Sequence, residues 1–371
     1  GREERVMGFS DFQGNSAVVQ RIREMLARGR FPQSMVLSGP EGSGKYTLAQ
    51  MCAKAVNCLE APISDGLPDF CGHCSNCARI AGADNLEERF AEAVEAWEAL
   101  RDVDKKETRI MIQSHPEVMI VPPDPPQMLI KVGQVRNVKA DIYFKPAQGR
   151  RKVYIFTQSS FMKEAANSLL KILEEPPEFA SLILLTTNPG ELLPTIRSRC
   201  ITLTLSPLPN EEVESYLEAR RPELNQKQRK LAARLAEGAI GRALSLDLTA
   251  YIAARSDALT LLHSAVESTD HSALFKVTES YRSGAEGKEK TGHLIRTLYS
   301  LLEDLLLLKS GVEALVRNLD IQAELSKIAA QVSFEWIQAA AFGLAQVEYG
   351  MRRNLLRSLS LDAYATALET R

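Results

Sequence analysis

Short apolar runs alternate with stretches of helical periodicity over the first 205 residues. Val18–Leu26 is amphipathic with helical spacing, and Met35–Leu37 reads as a short buried strand. A glycine-rich turn, Gly39–Gly44, comes next, and a helix is predicted to open near Lys45. Strands are predicted at Val118–Val121, Lys152–Phe156 and Leu182–Thr186, with helices at Val132–Tyr143 and Glu164–Glu174. Strands that alternate with helices imply βαβ units and a parallel sheet.

After Leu205 the pattern changes. Ser206-Pro207-Leu208-Pro209 punctuates the chain, and the residues beyond it read as helical: Glu211–Arg220, Gln226–Glu237, Ile240–Leu246, then a block from about Ala250 to Glu369. Breaks in that block are predicted at Ser283–Gly287 and Ser310-Gly311. The expected organisation is three domains: an α/β P-loop domain over 8–205, a small helical lid over 206–249 and a C-terminal helical domain over 250–371.

Composition narrows the class. Of 371 residues, 45% are apolar and 25% charged, as in a soluble globular protein. Lys plus Arg (45) nearly balances Asp plus Glu (47), a net charge of −2, so any contact with a polyanion must come from a local patch. The richest apolar runs, Leu182–Leu185 and Leu305–Leu308, are far shorter than a membrane span needs. Gly1–Arg5 lacks the apolar core of a signal peptide. Gly1 reads as a cloning remnant, with Met7 as the native start, and a cytoplasmic location is expected.

One segment stands apart. Asp84–Glu107 carries nine acidic and four basic residues, a net of −5 that leaves +3 for the rest of the chain. Leu86, Phe90, Val94 and Trp97 recur at helical spacing, predicting one amphipathic helix. It is either a solvated surface helix or an acidic helix that binds a partner.

Gly39-Pro40-Glu41-Gly42-Ser43-Gly44-Lys45 has the G-x4-G-K spacing of a phosphate-binding loop, between a predicted strand and a predicted helix. Such glycines let backbone N–H groups curl around phosphate oxygens, the helix N-terminus adds positive potential, and Lys45 reaches the outer phosphates. The next position, where Ser or Thr normally binds Mg2+, is Tyr46; Thr47 lies about 100° further round the helix. The strand Val153–Phe156 ends in Thr157-Gln158, without the carboxylate that hydrolysis uses. ATP or ADP binding is left open, and ATPase activity is expected to be lost.

Cys58, Cys71, Cys74 and Cys77 supply four thiols with two C-x2-C steps, and Gly72 permits a tight turn. That set suits a structural, tetrahedral Zn2+. An iron–sulfur cluster or a redox pair are the competing readings, and His73 is expected to be a bystander. Cys52 is expected to be core.

Asn167–Pro177 (NSLLKILEEPP), the strand ending in Thr186-Thr187, and Leu193–Cys200 (LPTIRSRC) together resemble the AAA+ modules of clamp loaders. Phe12–Asn15, His115-Pro116-Glu117, Val135-Arg136 and Gly238–Ala243 support the resemblance, with a weaker echo at Arg353-Asn354. It covers residues 8–250. It implies an AAA+ domain with a parallel sheet, a helical lid and a C-terminal oligomerisation collar. It implies a subunit of the bacterial DNA polymerase III clamp loader, with delta and gamma/tau subunits, the sliding clamp and primed DNA as partners. Among site residues it implies Arg199 as an arginine finger acting in trans, Arg242 as a phosphate sensor, Thr186 or Thr187 as a polar sensor, and Arg136 and Lys139 as contacts to the DNA backbone. The bland reading of the last pair is ordinary exposed basic residues. Two other functional readings stay open: an active ATPase motor subunit, and a zinc-containing module that binds single-stranded nucleic acid. Members of the family pass from the fourth cysteine to the His-Pro motif through a much shorter connection than the 37 residues between Cys77 and His115 here, so 84–107 is expected to be an insertion.

Overall fold

The structure, a computed structural model, describes residues 8–267, 281, 284–352 and 357–369. Gly1–Met7 and Arg353-Asn354 lie outside them. The chain divides into two compact units: residues up to Glu212 with Gly238–Arg242, and Val213–Glu237 with residues from Ala243 onward. Residues 206–249 are thus shared between the two.

The first unit opens with α1 (Ser16–Ala27), β1 (Ser34–Ser38) and α2 (Lys45–Asn57), the helix of the phosphate loop. A two-stranded hairpin, β2 (Ile63–Ser64) and β3 (Leu67–Pro68), and the short helix α3 (Ser75–Ala81) carry the cysteines. Next come α4 (Leu86–Glu98), α5 (Asp102–Glu107), β4 (Ile112–His115), β5 (Val118–Val121), α6 (Val132–Ile142), β6 (Lys152–Phe156), α7 (Lys163–Glu174), β7 (Ala180–Thr186), α8 (Pro194–Arg197) and β8 (Ile201–Thr204).

The sheet has the order β4-β5-β6-β7-β1-β8, parallel except for β4 against β5. Every residue of β1, β6 and β7 is buried, as expected where helices cover both faces of a parallel sheet. The pleat sorts them. Met35 and Leu37 point to the side of Ile22, Leu48 and Met51, whereas Val36 points to the side of Val135, Val138 and Leu169. Each such side chain contributes about 1.5–3 kcal/mol by leaving water. The consecutive apolar residues of these strands are therefore required by two cores, one on each face.

Asp84–Glu107 forms two helices instead of the single one predicted. Asn85 caps α4, its side-chain oxygen accepting from Glu88 N at 3.3 Å. Leu86, Phe90 and Ala93 pack on the core, and the chain turns at Ala99–Arg101. A continuous helix of that length would run about 36 Å and overshoot the return to β4. Instead the Trp97 indole N–H donates to the Thr108 carbonyl at 3.3 Å, closing the turn.

The second unit contains α9 (Asn210–Arg220), whose first three residues fall in the first unit, α10 (Gln226–Ala236), the second half of α11 (Ile240–Ser245), α12 (Leu248–Glu267), α13 (Gly284–Lys309), α14 (Gln322–Gln331), α15 (Phe334–Arg352) and α16 (Arg357–Glu369). The break predicted at Ser283–Gly287 is not found in its described part: Gly284–Gly287 belong to α13, and Ser283 lies outside the described residues. Leu261, Leu298, Leu301, Leu305, Ile328, Trp336 and Leu344 form its core. Buried Asp304 accepts from Arg317 N, Asn318 N and Asn318 Nδ2 at 2.8–2.9 Å, which pins the loop after α13. No helix among the described residues is long and apolar enough to cross a membrane.

Candidate functional site

β1 sits where the chain order of the sheet reverses, between β7 and β8, and the phosphate loop leaves its C-terminal end. That is the topological switch point at which open α/β sheets bind ligands. Gly39 N donates to the Thr186 carbonyl at 3.2 Å, tying the loop to the end of β7. Gly42 and Gly44 have φ of +78° and +86°, a region that disfavours other residues. A Cβ on Gly42 would lie 2.7 Å from Arg242 N, and Gly241 N donates to the Gly42 carbonyl at 2.8 Å. The segment carrying Arg242 therefore packs directly on the loop.

Lys45 Nζ donates to the Gly39 and Pro40 carbonyls, each at 2.7 Å, and burial holds its pKa below the ordinary lysine value. Ser43 Oγ is buried without a hydrogen-bond partner among the described residues. A glycine-shaped loop, an orphaned hydroxyl and a lysine at its centre fit an anionic phosphate.

The same site does not fit Mg2+. The Tyr46 phenol is directed to the turn after α3: its Oη donates to the Ala83 carbonyl at 2.5 Å and accepts from Gln50 Nε2 at 2.8 Å. Burial pushes its pKa up, so it stays a neutral donor. Thr47 is exposed. At the end of β6, Gln158 Nε2 donates to the Met128 carbonyl at 2.7 Å, and no carboxylate occupies the Thr157-Gln158 step. Thr186 Oγ1 lies 2.9 Å from Ser159 Oγ and accepts from Asn188 N at 3.1 Å, while Thr187 is exposed. Ser159 in turn donates to Glu191 at 3.3 Å, a carboxylate near the strand end that local spacing did not reveal.

Arg199 lies at the opposite end of the strands from the loop. β8 runs parallel to β1 with Met35 opposite Ile201 and Ser38 opposite Thr204. Arg199, two residues before β8, is therefore level with the start of β1, whereas Gly39 leaves its end. At about 3.3 Å per residue the strand alone separates them by roughly 15 Å. Arg199 Nη2 reaches Glu174 Oε1 at 3.2 Å and Nη1 donates to the Thr195 carbonyl at 2.9 Å. Both side chains of the Arg199–Glu174 pair are solvent-accessible, so the pair holds the arginine weakly. It borders an open groove of about 740 Å3 that also includes Arg30, Gln33 and Arg151. Cys200 is partly buried, and desolvation pushes its thiol up to about 11, which favours the neutral thiol beside the arginine.

The Sγ atoms of Cys58, Cys71, Cys74 and Cys77 all lie within 4.8 Å of one another, and all four residues are buried. Ala61 N and Cys71 N point at Cys58 Sγ (3.2 and 3.3 Å), Cys74 N at Cys71 Sγ (3.2 Å), and Cys77 N at Cys74 Sγ (3.5 Å). Backbone N–H groups aimed at sulfur stabilise thiolate charge. Four converging sulfurs with that support fit a metal ion bound by thiolates. Cys52, by contrast, is fully buried in the core, and its thiol is pushed up by desolvation.

Arg136 and Lys139 are exposed on α6, with exposed Tyr143 and Phe144 just beyond its end. Gln134 on the opposite side of that helix is fully buried and donates to the Ile110 and Pro122 carbonyls, which fixes which face is presented.

Residues 14–209 match the protein family described as DNA polymerase III, delta subunit. Among curated relatives, the DNA polymerase III subunit tau of Escherichia coli (strain K12) is 32% identical over 66% of this chain and 33% of its own length. The DNA polymerase III subunit delta' of Bacillus subtilis (strain 168) is 29% identical over 54% of this chain and 50% of its own. The chain thus spans about a third of the length of the tau relatives it matches. A solved DNA polymerase III gamma subunit-related protein from Thermotoga maritima aligns over 94% of this chain and 99% of its own, with a TM-score of 0.42 and 18% identity.

Proposed function

The chain belongs to the DNA polymerase III, delta subunit family, and on that premise we propose that it is a delta-prime-like, non-hydrolysing subunit of the clamp loader. The observation that carries this reading is the commitment of the Tyr46 phenol to Ala83, away from the phosphate loop. The position that should hold Mg2+ has been recruited to hold the fold, and β6 brings no carboxylate in compensation. Nucleotide phosphate is held, if bound, by Gly42, Ser43, Gly44 and Lys45, with Arg242 close by. No hydrolytic step passes through this chain's own site.

Arg199 serves a neighbour. Placed at the end of the strands opposite its own loop and tethered by exposed Glu174 and the Thr195 carbonyl, it can swing out to phosphate held by an adjacent ATPase subunit. A guanidinium there stabilises charge that develops as the γ-phosphoryl transfers. The four cysteines hold a structural Zn2+, and Arg136 and Lys139 face the DNA backbone once the loader has assembled with delta and gamma/tau subunits around the clamp. The locale is the cytoplasm.

The glycine curl and Lys45 favour a second reading, a gamma/tau-like motor, and the likeness to DNA polymerase III subunits tau and tau/gamma supports it. One measurement separates the two. The purified, metal-replete chain is assayed for ATP turnover alone and then with loader subunits and primed DNA. The stator reading expects none alone and stimulation in the complex. Turnover by the isolated chain that Lys45→Ala abolishes would overturn it.

A further inference from the structure

We propose that Glu60 and His73 form an entry site through which metal reaches the four-cysteine site, with Cys71 as the ligand common to both. The inference rests on the reading of Cys58, Cys71, Cys74 and Cys77 as a zinc site. One donor atom each from Glu60, Cys71 and His73 falls within 4.8 Å of the others, the same closeness that defines the four sulfurs. His73 Nε2 lies 3.3 Å from Glu60 Oε2, and both side chains are more than half exposed. Two donor sets, one on the surface and one buried, therefore share a single sulfur.

Exposure gives the path a direction. Cys58 and Cys77 are completely inaccessible, while Cys71 and Cys74 retain 7% each. His73 stands between those two in the chain. A hydrated ion thus approaches from the side where the carboxylate and the imidazole stand. The chemistry also runs downhill inward. Carboxylate and imidazole exchange readily with a hydrated divalent ion, and Zn2+ then gains by replacing oxygen and nitrogen with sulfur.

The exchange balances. Glu60, His73 and Cys71 displace waters from the arriving ion, the Cys71 thiol releasing its proton to solvent as it binds. Cys58, Cys74 and Cys77 then displace the carboxylate and imidazole, each thiol releasing its proton to solvent. Cys71 stays bound throughout, so the ion is never without a thiolate. Release takes the same steps in reverse.

Reversibility makes the idea testable. An entry site that is not part of the final coordination must speed loading and release by the same factor and leave affinity untouched. The experiment compares the full chain with a Glu60→Gln/His73→Gln double variant, whose changes lie on the surface and outside the four cysteines. Zn2+ release to excess chromogenic chelator is monitored from the metal-loaded proteins. Co2+ uptake by the stripped proteins is monitored by absorption. The expected result is that the variant releases and loads several-fold more slowly, with equal factors, and ends with the same Co2+ spectrum and the same affinity in chelator competition. Unchanged rates overturn the entry site and leave the four-cysteine site standing. A shifted Co2+ spectrum or weakened affinity overturns it too, because His73 or Glu60 would then be a resident ligand. Absence of a thiolate–Co2+ spectrum in the unmodified chain overturns the zinc reading together with this one.

Discussion

The Tyr46 hydroxyl donates to the Ala83 carbonyl at 2.5 Å, and Gln50 Nε2 donates to the same carbonyl at 3.0 Å. One turn further along α2, buried Lys54 pairs with Asp84 at 2.6 Å. One face of the phosphate-loop helix thereby clamps the residues that lead from the cysteine module into the acidic insertion.

Tyr46→Phe removes the phenol hydroxyl from this clamp while keeping the ring. A loss of about 1 kcal/mol in stability is expected, typical of one deleted hydrogen bond, and chemical denaturation measures it. Tyr46→Thr restores the hydroxyl of an active loop. It should still give no ATP turnover, because Thr157 and Gln158 supply no carboxylate. Measurable hydrolysis by that variant would show that a carboxylate elsewhere, such as Glu191, completes the site.

Arg199→Ala should leave assembly intact on a sizing column. Hydrolysis at the neighbouring site it serves should fall by about 10³-fold or more, the usual worth of an arginine finger. Glu174→Gln loosens the exposed pair and should change stability by less than about 1 kcal/mol. Hydrolysis unchanged by Arg199→Ala would remove the finger assignment.

Elemental analysis should find one zinc per chain. Stripping it should lower the melting temperature of the first unit, because metal binding is coupled to folding of the loop that carries its ligands. Cys77→Ser should do the same without chelator. A chain that melts identically with and without metal contradicts a structural role.

His115 is buried, and its Nδ1 accepts from Glu117 N at 3.1 Å, a contact available only to the neutral ring. Burial, and to a lesser degree Arg79, holds its pKa below the ordinary 6.5. The unfolded chain therefore takes up a proton first as pH falls. The neutral ring's stabilising contribution is complete above 6.5 and shrinks below it, until the depressed folded pKa is reached. Denaturation midpoints from pH 7.5 to 5.5 should fall more steeply for the unmodified chain than for His115→Gln.

Replacing Arg136 and Lys139 together by Ala should weaken DNA binding by the assembled loader irrespective of sequence. The slope of log affinity against log salt should become shallower by about 2, roughly one for each phosphate that loses its cation. A slope that does not move would leave these residues as ordinary surface charges.

Much of the first unit is legible in the chain because its signals are local. Backbone geometry dictates glycine at the φ of +78° and +86° found at Gly42 and Gly44. A doubly covered sheet dictates the unbroken apolar residues of β1, β6 and β7. The four cysteines and the missing Mg2+ ligands are likewise matters of spacing. The insertion misled because helical periodicity continues through Ala99–Arg101 although the chain has to turn back to β4. The approach of His73 to Glu60, thirteen positions away, was not legible, because nothing in the neighbours of either residue points to the other.

The sequence by itself determined the phosphate loop, the residues absent from its catalytic half, the cysteine set and the arginine before β8. Those features reside in residue identity at fixed offsets, which short-range geometry enforces. Only the tertiary structure decided where the side chains go: the Tyr46 phenol to Ala83, Arg199 to Glu174, Glu60 and His73 to the edge of the cysteine cluster. Such partners are chosen by packing, which brings together residues far apart in the chain and leaves no periodic trace in it.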